Sequence, residues 1–172
     1  QRNDRSSERA PMSVISFSQP VQIPNQGTDV PALVQYANAI FMVYSDSDGS
    51  GTLWSSWSLD GVNWRGAIQI PGQTGFIPAL AVWGNYLYMV YTDSNSAQLW
   101  VTRTHNCVDW IDTQQIPNQA TSTPALVAFP GIGLCLVYSD SSSSQLWCSV
   151  CANPPASSGQ ADAEFRFASP AV

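Results

Sequence analysis

The stretch PALAVWGNYLYMVYTDS, residues 78–94, decides the fold, because its parts recur in the chain. Four short motifs each occur three times, and every spacing between copies is 46 or 47 residues. The motifs are Pro-Ala-Leu at 31–33, 78–80 and 124–126, Val-Tyr-(Ser/Thr)-Asp-Ser at 43–47, 90–94 and 137–141, Leu-Trp at 53–54, 99–100 and 146–147, and Ile-Pro at 23–24, 70–71 and 116–117. Motifs that recur in phase at a fixed period indicate a tandem repeat of one supersecondary unit.

Each copy is predicted to contain four strands. β-favouring runs alternate with turn signals such as Gly84-Asn85, and no window has helical periodicity. We expect an all-β chain of three four-stranded antiparallel repeats of about 47 residues, arranged as β-propeller blades. A β-trefoil is the alternative, because Gln98-Leu-Trp100 and Gln145-Leu-Trp147 match the Gln-x-Trp motif of trefoil lectins. The predicted strands of the middle copy are 78–83, 86–91, 98–103 and 110–115.

The repeat leaves one strand over at the front of the chain. Residues 16–24 align with residues 63–71, and Phe17 takes the place of Trp64. Three blades are too few to close a ring, so this segment is predicted to complete the last blade of a second chain. The expected assembly is a homodimer with a six-bladed ring, unless residues 164–167 supply the missing strand themselves. The predicted boundaries are a flexible tail at 1–12, one domain at 13–172, and repeats at 25–71, 72–117 and 118–172, with 16–24 as a surplus outer strand.

Composition excludes several kinds of partner. The chain has six Arg, no Lys and twelve acidic residues, and its net charge of −6 provides no basic stripe for nucleic acid. No run of 18 apolar residues occurs, so membrane insertion is not expected. The chain begins with Gln1, which a cleaved secretory signal would explain, so the expected location is secreted or extracellular.

Residues 58–64, Ser-Leu-Asp-Gly-Val-Asn-Trp, follow the third strand of the first copy. They resemble the Asp-box, a turn in which Asp60 would accept backbone N–H bonds and Gly61 would take a positive φ. The second copy keeps only Trp110 of this motif, and the third has lost it. Together with the repeat motifs, the box makes residues 16–150 similar to the sialidase-like repeat propellers, several of which are sugar-binding propeller lectins.

The resemblance implies a carbohydrate-binding protein whose partners are glycans. Sugars bind to an aromatic face with a neighbouring carboxylate, and each copy repeats such a set, so a multivalent lectin is predicted. A protein-interaction propeller without sugar affinity and a non-catalytic remnant of a sialidase-like glycosidase are the alternatives. The predicted carbohydrate-binding residues are Tyr44, Asp46 and Trp54 in the first copy, Tyr91, Asp93 and Trp100 in the second, and Tyr138, Asp140 and Trp147 in the third.

The chain is predicted not to be an enzyme, because a sialidase needs an Arg cluster, and Arg65, Arg103 and Arg166 fall at non-equivalent repeat positions. Glu164 is the only Glu after Glu8, so any two-carboxylate glycosidase site would depend on Asp.

No cofactor or metal is predicted, since Cys148-x-x-Cys151 lacks the second ligand pair of a zinc site. Cys135 and Cys148 lie on neighbouring strands and could form a disulfide or remain thiols, like Cys107.

Overall fold

The computed structural model describes residues 15–24, 26–28, 30–140 and 142–152. Nine strands cover most of these residues, and none of the described residues is helical, which confirms the all-β prediction. No described segment forms a helix that could cross a membrane. The strands are β1 (Ala32–Tyr36), β2 (Ala39–Ser45), β3 (Thr52–Ser58), β4 (Trp64–Trp83), β5 (Tyr86–Asp93), β6 (Gln98–Thr104), β7 (Ile111–Phe129), β8 (Gly133–Asp140) and β9 (Leu146–Cys151).

Every strand pairs antiparallel with the next one along the chain. Blade one consists of β1, β2, β3 and the first part of β4, and blade two of the rest of β4, β5, β6 and the first part of β7. Blade three consists of the rest of β7, β8 and β9. An antiparallel meander within each repeat is the arrangement of a propeller blade, and it rules out the β-trefoil alternative. The possible fourth strand of blade three at 164–167 lies outside the described residues.

The outer strand of one blade continues without a break into the inner strand of the next. β4 has 20 residues and changes its partner between Thr74, which pairs with β3, and Gly75, which pairs with β5. β7 changes its partner in the same way between Ala120 and Thr121. The Ile-Pro motifs at 70–71 and 116–117 are therefore parts of long strands, and Gly72, with φ of 68°, is one of the left-handed residues in β4.

A repeated side-chain contact secures this crossing point. The Gln that follows each Ile-Pro lies against a hydroxyl group on the third strand of the next blade in the chain. The paired atoms are Gln26 Oε1 and Ser56 Oγ at 3.0 Å, Gln73 Nε2 and Thr102 Oγ1 at 3.4 Å, and Gln119 Nε2 and Ser149 Oγ at 2.8 Å. The contact gives these residues a structural role and shows that the chain enters all three blades in the same way.

The core lies between blades. Side chains alternate along each strand, so every blade has a forward face toward the following blade and a rear face toward the preceding one. The forward face of blade one, with Phe41, Val43 and Leu53, packs on the rear face of blade two, with Met89 and Tyr91. Blade two repeats this packing on blade three through a second set of residues. These are Val90 and Leu99 of blade two and Leu136 and Tyr138 of blade three.

The described chain ends in an open face. Leu53 and Leu99 are both 0% exposed on the forward faces of blades one and two, whereas the equivalent Leu146 of blade three is 77% exposed. At the other end of the chain, residues 16–23 belong to no strand, and Phe17 is 94% exposed. Pairing of this segment with a second chain therefore remains a prediction.

Replacing Leu99 with Ala should lower the free energy of unfolding by about 2–5 kcal/mol, because a fully buried leucine between two blades leaves a cavity. The control, Leu59→Ala, removes a side chain that is exposed in the turn after β3, so its effect should stay within about 0.5 kcal/mol. Urea denaturation at one pH measures both. Equal losses in the two variants would contradict the placement of the core between blades.

Candidate functional site

The structure brings the predicted Tyr and Trp of each copy together. Tyr44 lies directly opposite Trp54 across β2 and β3, and Tyr91 lies directly opposite Trp100 across β5 and β6. Tyr138 and Trp147 repeat this pairing in blade three. Because directly opposed residues share one face of a sheet, each aromatic pair lies on the rear face of its blade.

The three tyrosines are buried, and those of blades two and three pack against the preceding blade. Tyr91 belongs to the core between blades one and two, and burial, together with the nearby Asp93 carboxylate, raises its pKa to about 12. Trp100 is half-buried against the same core, whereas Trp147 is exposed. In the single chain, only blade three therefore offers an open aromatic ring from these sets. Sugar binding by the nine residues remains a prediction.

The predicted aspartates lie in the turns between the second and third strands. Asp140 Oδ1 accepts hydrogen bonds from the backbone N–H groups of Ser142 and Ser143, both at 2.8 Å. Asp93 Oδ1 caps the equivalent turn through the N–H of Ser96 at 2.8 Å. The first copy has a longer turn, and there Asp48 rather than Asp46 accepts such a bond. Two of the three predicted aspartates thus hold a turn.

The Asp-box turn has the geometry that the motif predicts. Asp60 Oδ1 accepts hydrogen bonds from the N–H groups of Val62 at 2.9 Å and Asn63 at 2.7 Å. Ser58 Oγ accepts the N–H of Gly61 at 3.0 Å, and Gly61 has φ of 77°. These bonds hold the pKa of Asp60 well below its usual value.

The second copy forms the same turn from different residues. Asn106 Oδ1 accepts the N–H groups of Val108 at 3.0 Å and Asp109 at 2.8 Å. Thr104 Oγ1 accepts the N–H of Cys107 at 2.9 Å, and Cys107 takes the glycine position with φ of 61°. Cys107 is buried in the core between blades one and two, and this burial raises its pKa to about 12.

The four cysteines are free thiols in the structure. Cys135 lies opposite Val150, and Cys148 lies opposite Val137, so the two cysteines are two residues out of register. The disulfide that the sequence allowed between them is therefore not formed. Among residues whose placement is described, no three His, Cys, Asp or Glu side chains are grouped to hold a metal ion.

A cleft of about 440 Å³ lies between the forward face of blade two and the rear face of blade three. Its apolar wall includes Val90, Leu126 and Leu136. Polar groups line the rest of the cleft. They are Arg103, Asp112, Gln114, Gln115, Gln119 and Ser149. A largely apolar cleft of this size with a few placed polar groups is typical of a small-molecule site.

Arg103 is the central polar group of this cleft. Its Nε donates to Asp112 Oδ2 at 2.7 Å, and its guanidinium lies 4.2 Å from the centre of the Tyr86 ring. Its Nη1 is 3.4 Å from the Tyr88 hydroxyl. Nη2 also binds Asp112 Oδ2, so Asp112 Oδ1 has no hydrogen-bond partner among the described residues. Arg103 thus fixes the position of the Asp112 carboxylate and leaves Oδ1 open to a ligand. Tyr86 and Tyr88 in turn hold the Arg103 guanidinium in place.

Asp112 occupies a β-bulge with a left-handed backbone. Its φ is 55°, and the register of β6 and β7 shifts between Val101 and Arg103. In blade one the same position of the bulge holds Gly66, which adopts φ of 85° without a steric penalty, and Trp57 takes the place of Arg103. A left-handed backbone is uncommon for a residue with a side chain, although aspartate tolerates it better than most, and Asp112 is one of seven such residues in the described chain. Sequence reasoning set Arg103 aside because it has no equivalent in the other copies, although that difference was itself the available signal.

Comparison with solved structures supports the fold. A family 117 glycoside hydrolase from the marine bacterium Zobellia galactanivorans matches with a TM-score of 0.55 and 15% identity, over 70% of this chain and 50% of its own. An α-L-arabinofuranosidase from Fusarium graminearum, solved as a mutant with an iminosugar inhibitor, matches with a TM-score of 0.52 and 16% identity, over 70% of this chain and 44% of its own. Both are β-propeller glycosidases. The chain has a β-propeller fold.

The similarity to these two structures covers only part of their length. The chain spans about half the length of the two solved structures. No protein-family model matches the chain, and no curated protein matches it in sequence. The propeller part of the predicted resemblance is confirmed, and its sialidase-like part remains a prediction.

The prediction that the chain is not an enzyme is contradicted by these neighbours, because both are glycoside hydrolases. The absence of a sialidase Arg cluster bears chiefly on one kind of glycosidase. A fold that supports hydrolysis of glycosidic bonds in other proteins provides no ground for excluding it here.

Asp140 should make stability depend on pH. Hydrogen bonds from Ser142 and Ser143 lower its pKa to about 2 from 3.8, so the folded state takes up this proton less readily than the unfolded state. Its contribution is complete above pH 3.8 and is lost as the pH falls toward about 2. Unfolding temperatures between pH 7 and 2 should therefore fall less in Asp140→Asn than in the native chain.

The matched control for this measurement is Asp46→Asn, which changes the equivalent residue in the first copy, where Asp48 caps the turn. Its pH profile should follow that of the native chain. Identical profiles for the native chain and Asp140→Asn would show that the turn does not depend on the carboxylate.

Proposed function

We propose that this chain is a carbohydrate-recognising propeller that binds a glycan in the cleft between blades two and three. The single observation that carries the proposal is the Asp112–Arg103 pair at this cleft, with Asp112 in a left-handed conformation. The propeller-fold glycosidase neighbours support carbohydrate as the ligand class.

The polar groups suit the hydroxyl groups of a sugar. The open Oδ1 of Asp112 accepts from a hydroxyl, and a charged acceptor forms the stronger type of hydrogen bond. The side-chain amide of Gln114, which lies opposite Val101 on the forward face, can both donate and accept, as neighbouring ring hydroxyls require. Gln119 and Ser149 are already bonded to each other and shape the cleft.

The apolar wall suits the carbon-bound hydrogens of the same ligand. Val90 and Leu136 belong to the core between blades two and three, so this wall is rigid and needs no ordering when a ligand binds. The equivalent space between blades one and two is filled, because Trp57, Cys107 and Trp110 pack there. A site with one polar and one apolar side therefore exists where blade two meets blade three.

The predicted Tyr/Asp/Trp sets are the finer part of this proposal. Trp147 supplies an exposed ring in blade three, and a sugar stacked on it would use a surface separate from the residues that line the cleft. A glycan array with Trp147→Ala beside the cleft variants distinguishes the two surfaces. Multivalent binding, as in a lectin, would need a second sugar site at Trp147 or several copies of the chain in one assembly.

Asp112→Gly should abolish most glycan binding while keeping the fold. The variant introduces the residue that blade one has at this bulge, so it relieves the backbone strain. Loss of a charged hydrogen bond weakens binding by roughly 10–100-fold, and Gln114→Ala should weaken it by roughly 2–10-fold. A glycan array identifies the ligand, titration calorimetry gives the affinities, and thermal unfolding checks the fold.

Gln115→Ala is the matched control, because Gln115 is the next residue along β7 and lies opposite Trp100 on the rear face of blade two. Gln115→Ala should bind like the native chain. Release of sugar in the same samples would show that the cleft is catalytic. A native chain that binds no glycan, or Asp112→Gly with native affinity, would contradict the proposal and leave a protein-interaction propeller as the better reading.

A further inference from the structure

We infer that two copies of this chain close one ring, in which residues 16–23 of each copy pair with β9 of the other. In the same contact, the forward face of blade three packs on the rear face of blade one of the partner. This inference is independent of the cleft and of carbohydrate binding.

The forward half of an inter-blade interface is open on blade three. The residues on this face of blade three are equivalent to those that blades one and two bury against the next blade. Leu146 is exposed where Leu53 and Leu99 are buried, and Val137 is partly exposed where Val43 and Val90 are buried. Val127 and Val150 add to the same exposed apolar face.

The rear half of the same kind of interface is open only in part on blade one, where Met42 and Tyr44 are 5% and 4% exposed in the single chain but Leu33 is uncovered. Leu33 lies on β1 opposite Met42, on the face that would meet a preceding blade. It is 57% exposed, whereas the equivalent Leu80 of blade two is 9% exposed against blade one. One chain thus carries an open forward face on blade three and, at Leu33, an open part of the rear face on blade one. Two complementary surfaces at opposite ends of one chain produce a closed ring when the rotation between copies allows closure.

The N-terminal segment already follows the path of an outer strand that enters the next blade. Gln26 is hydrogen-bonded to Ser56 in the same way as Gln73 is to Thr102. The chain therefore enters β1 along the same path that β4 follows into blade two. The residues before Gln26 therefore point to where the outer strand of a preceding blade would lie. Ile15, Phe17 and Val21 in this part are apolar and exposed, which fits a strand without its sheet.

The repeat sets the register of the pairing. Residues 16–23 align with 63–70, and in blade one Ser55 pairs with Ile68. The equivalents of these two residues are Cys148 on β9 and Val21, which should therefore lie opposite each other. Pro20 aligns with Ala67, inside the bulge between the Trp57 and Ser55 pairs, and a bulge is a position where proline is tolerated in a sheet.

The second copy is the occupant that covers both open features. A single strand from the same chain, such as residues 164–167, could cover the edge of β9, but the exposed forward face needs a whole sheet. A second copy brings a sheet whose rear face is open at Leu33, together with residues 16–23 on the same side. The ring then has six blades, within the usual range of four to eight.

The test introduces a cysteine opposite a native one. After mild oxidation, Val21→Cys should form disulfide-linked dimers with twice the 18.6 kDa mass of one chain on a non-reducing gel. The link should disappear when Cys148→Ser is added. Gln22→Cys is the matched control, because its side chain would lie on the other face of the strand, opposite Trp147. It should cross-link no more than the oxidised native chain.

Native mass spectrometry of the reduced native chain should show the same doubled mass at micromolar concentration, and Leu146→Asp should convert it to monomers that unfold cooperatively. A monomeric native chain would overturn the inference. A link between residues 21 and 148 within one chain would also overturn it, as would equal cross-linking by Val21→Cys and Gln22→Cys.

Discussion

The rest of this structure depends on the packing of one blade face against the next. A four-stranded sheet has two apolar faces, and the two large interfaces of this chain form where one blade covers a face of the next. Leu53 and Leu99 are completely buried in this way. The long strands β4 and β7 follow from the same constraint, since a continuous strand that leaves one sheet and enters the next brings the two faces together.

The cleft arises at the interface where a charged pair of residues takes the place of an aromatic ring and a glycine. Between blades one and two, Trp57 lies over Gly66, and a Cβ at Gly66 would come within 3.1 Å of the indole nitrogen. Blade two replaces this pair by Arg103 and Asp112. A charged pair cannot fill the space as a large ring does, and it must keep contact with solvent or a polar ligand. The same substitution therefore opens the cleft and supplies its polar groups.

The strands could be predicted from the sequence because both the repeat and the alternation of residue types are local signals. The merging of outer and inner strands could not, since Ile70-Pro71-Gly72 has the composition of a turn and only the neighbouring sheets keep it extended. The cleft was not predicted for a related reason. Repetition suggested that Tyr44, Tyr91 and Tyr138 bind a ligand, yet residues that recur at every blade interface are those that the interface needs for packing. The conformation of Asp112 has no sequence signal of its own.

Loss of a motif and loss of its structure are separate events in this chain. The second Asp-box retains neither its Asp nor its Gly, yet Thr104, Asn106 and Cys107 reproduce the turn bond for bond. The hydrogen-bond acceptors are conserved in function, because a hydroxyl and an amide oxygen accept the same N–H groups as Ser58 and Asp60. Turn geometry is thus tolerant of substitution, whereas a change from Trp57 to Arg103 alters what the interface can do. In a repeat protein of this kind, the residues that carry function are better sought among the positions where equivalent copies differ in chemistry than among those where they agree.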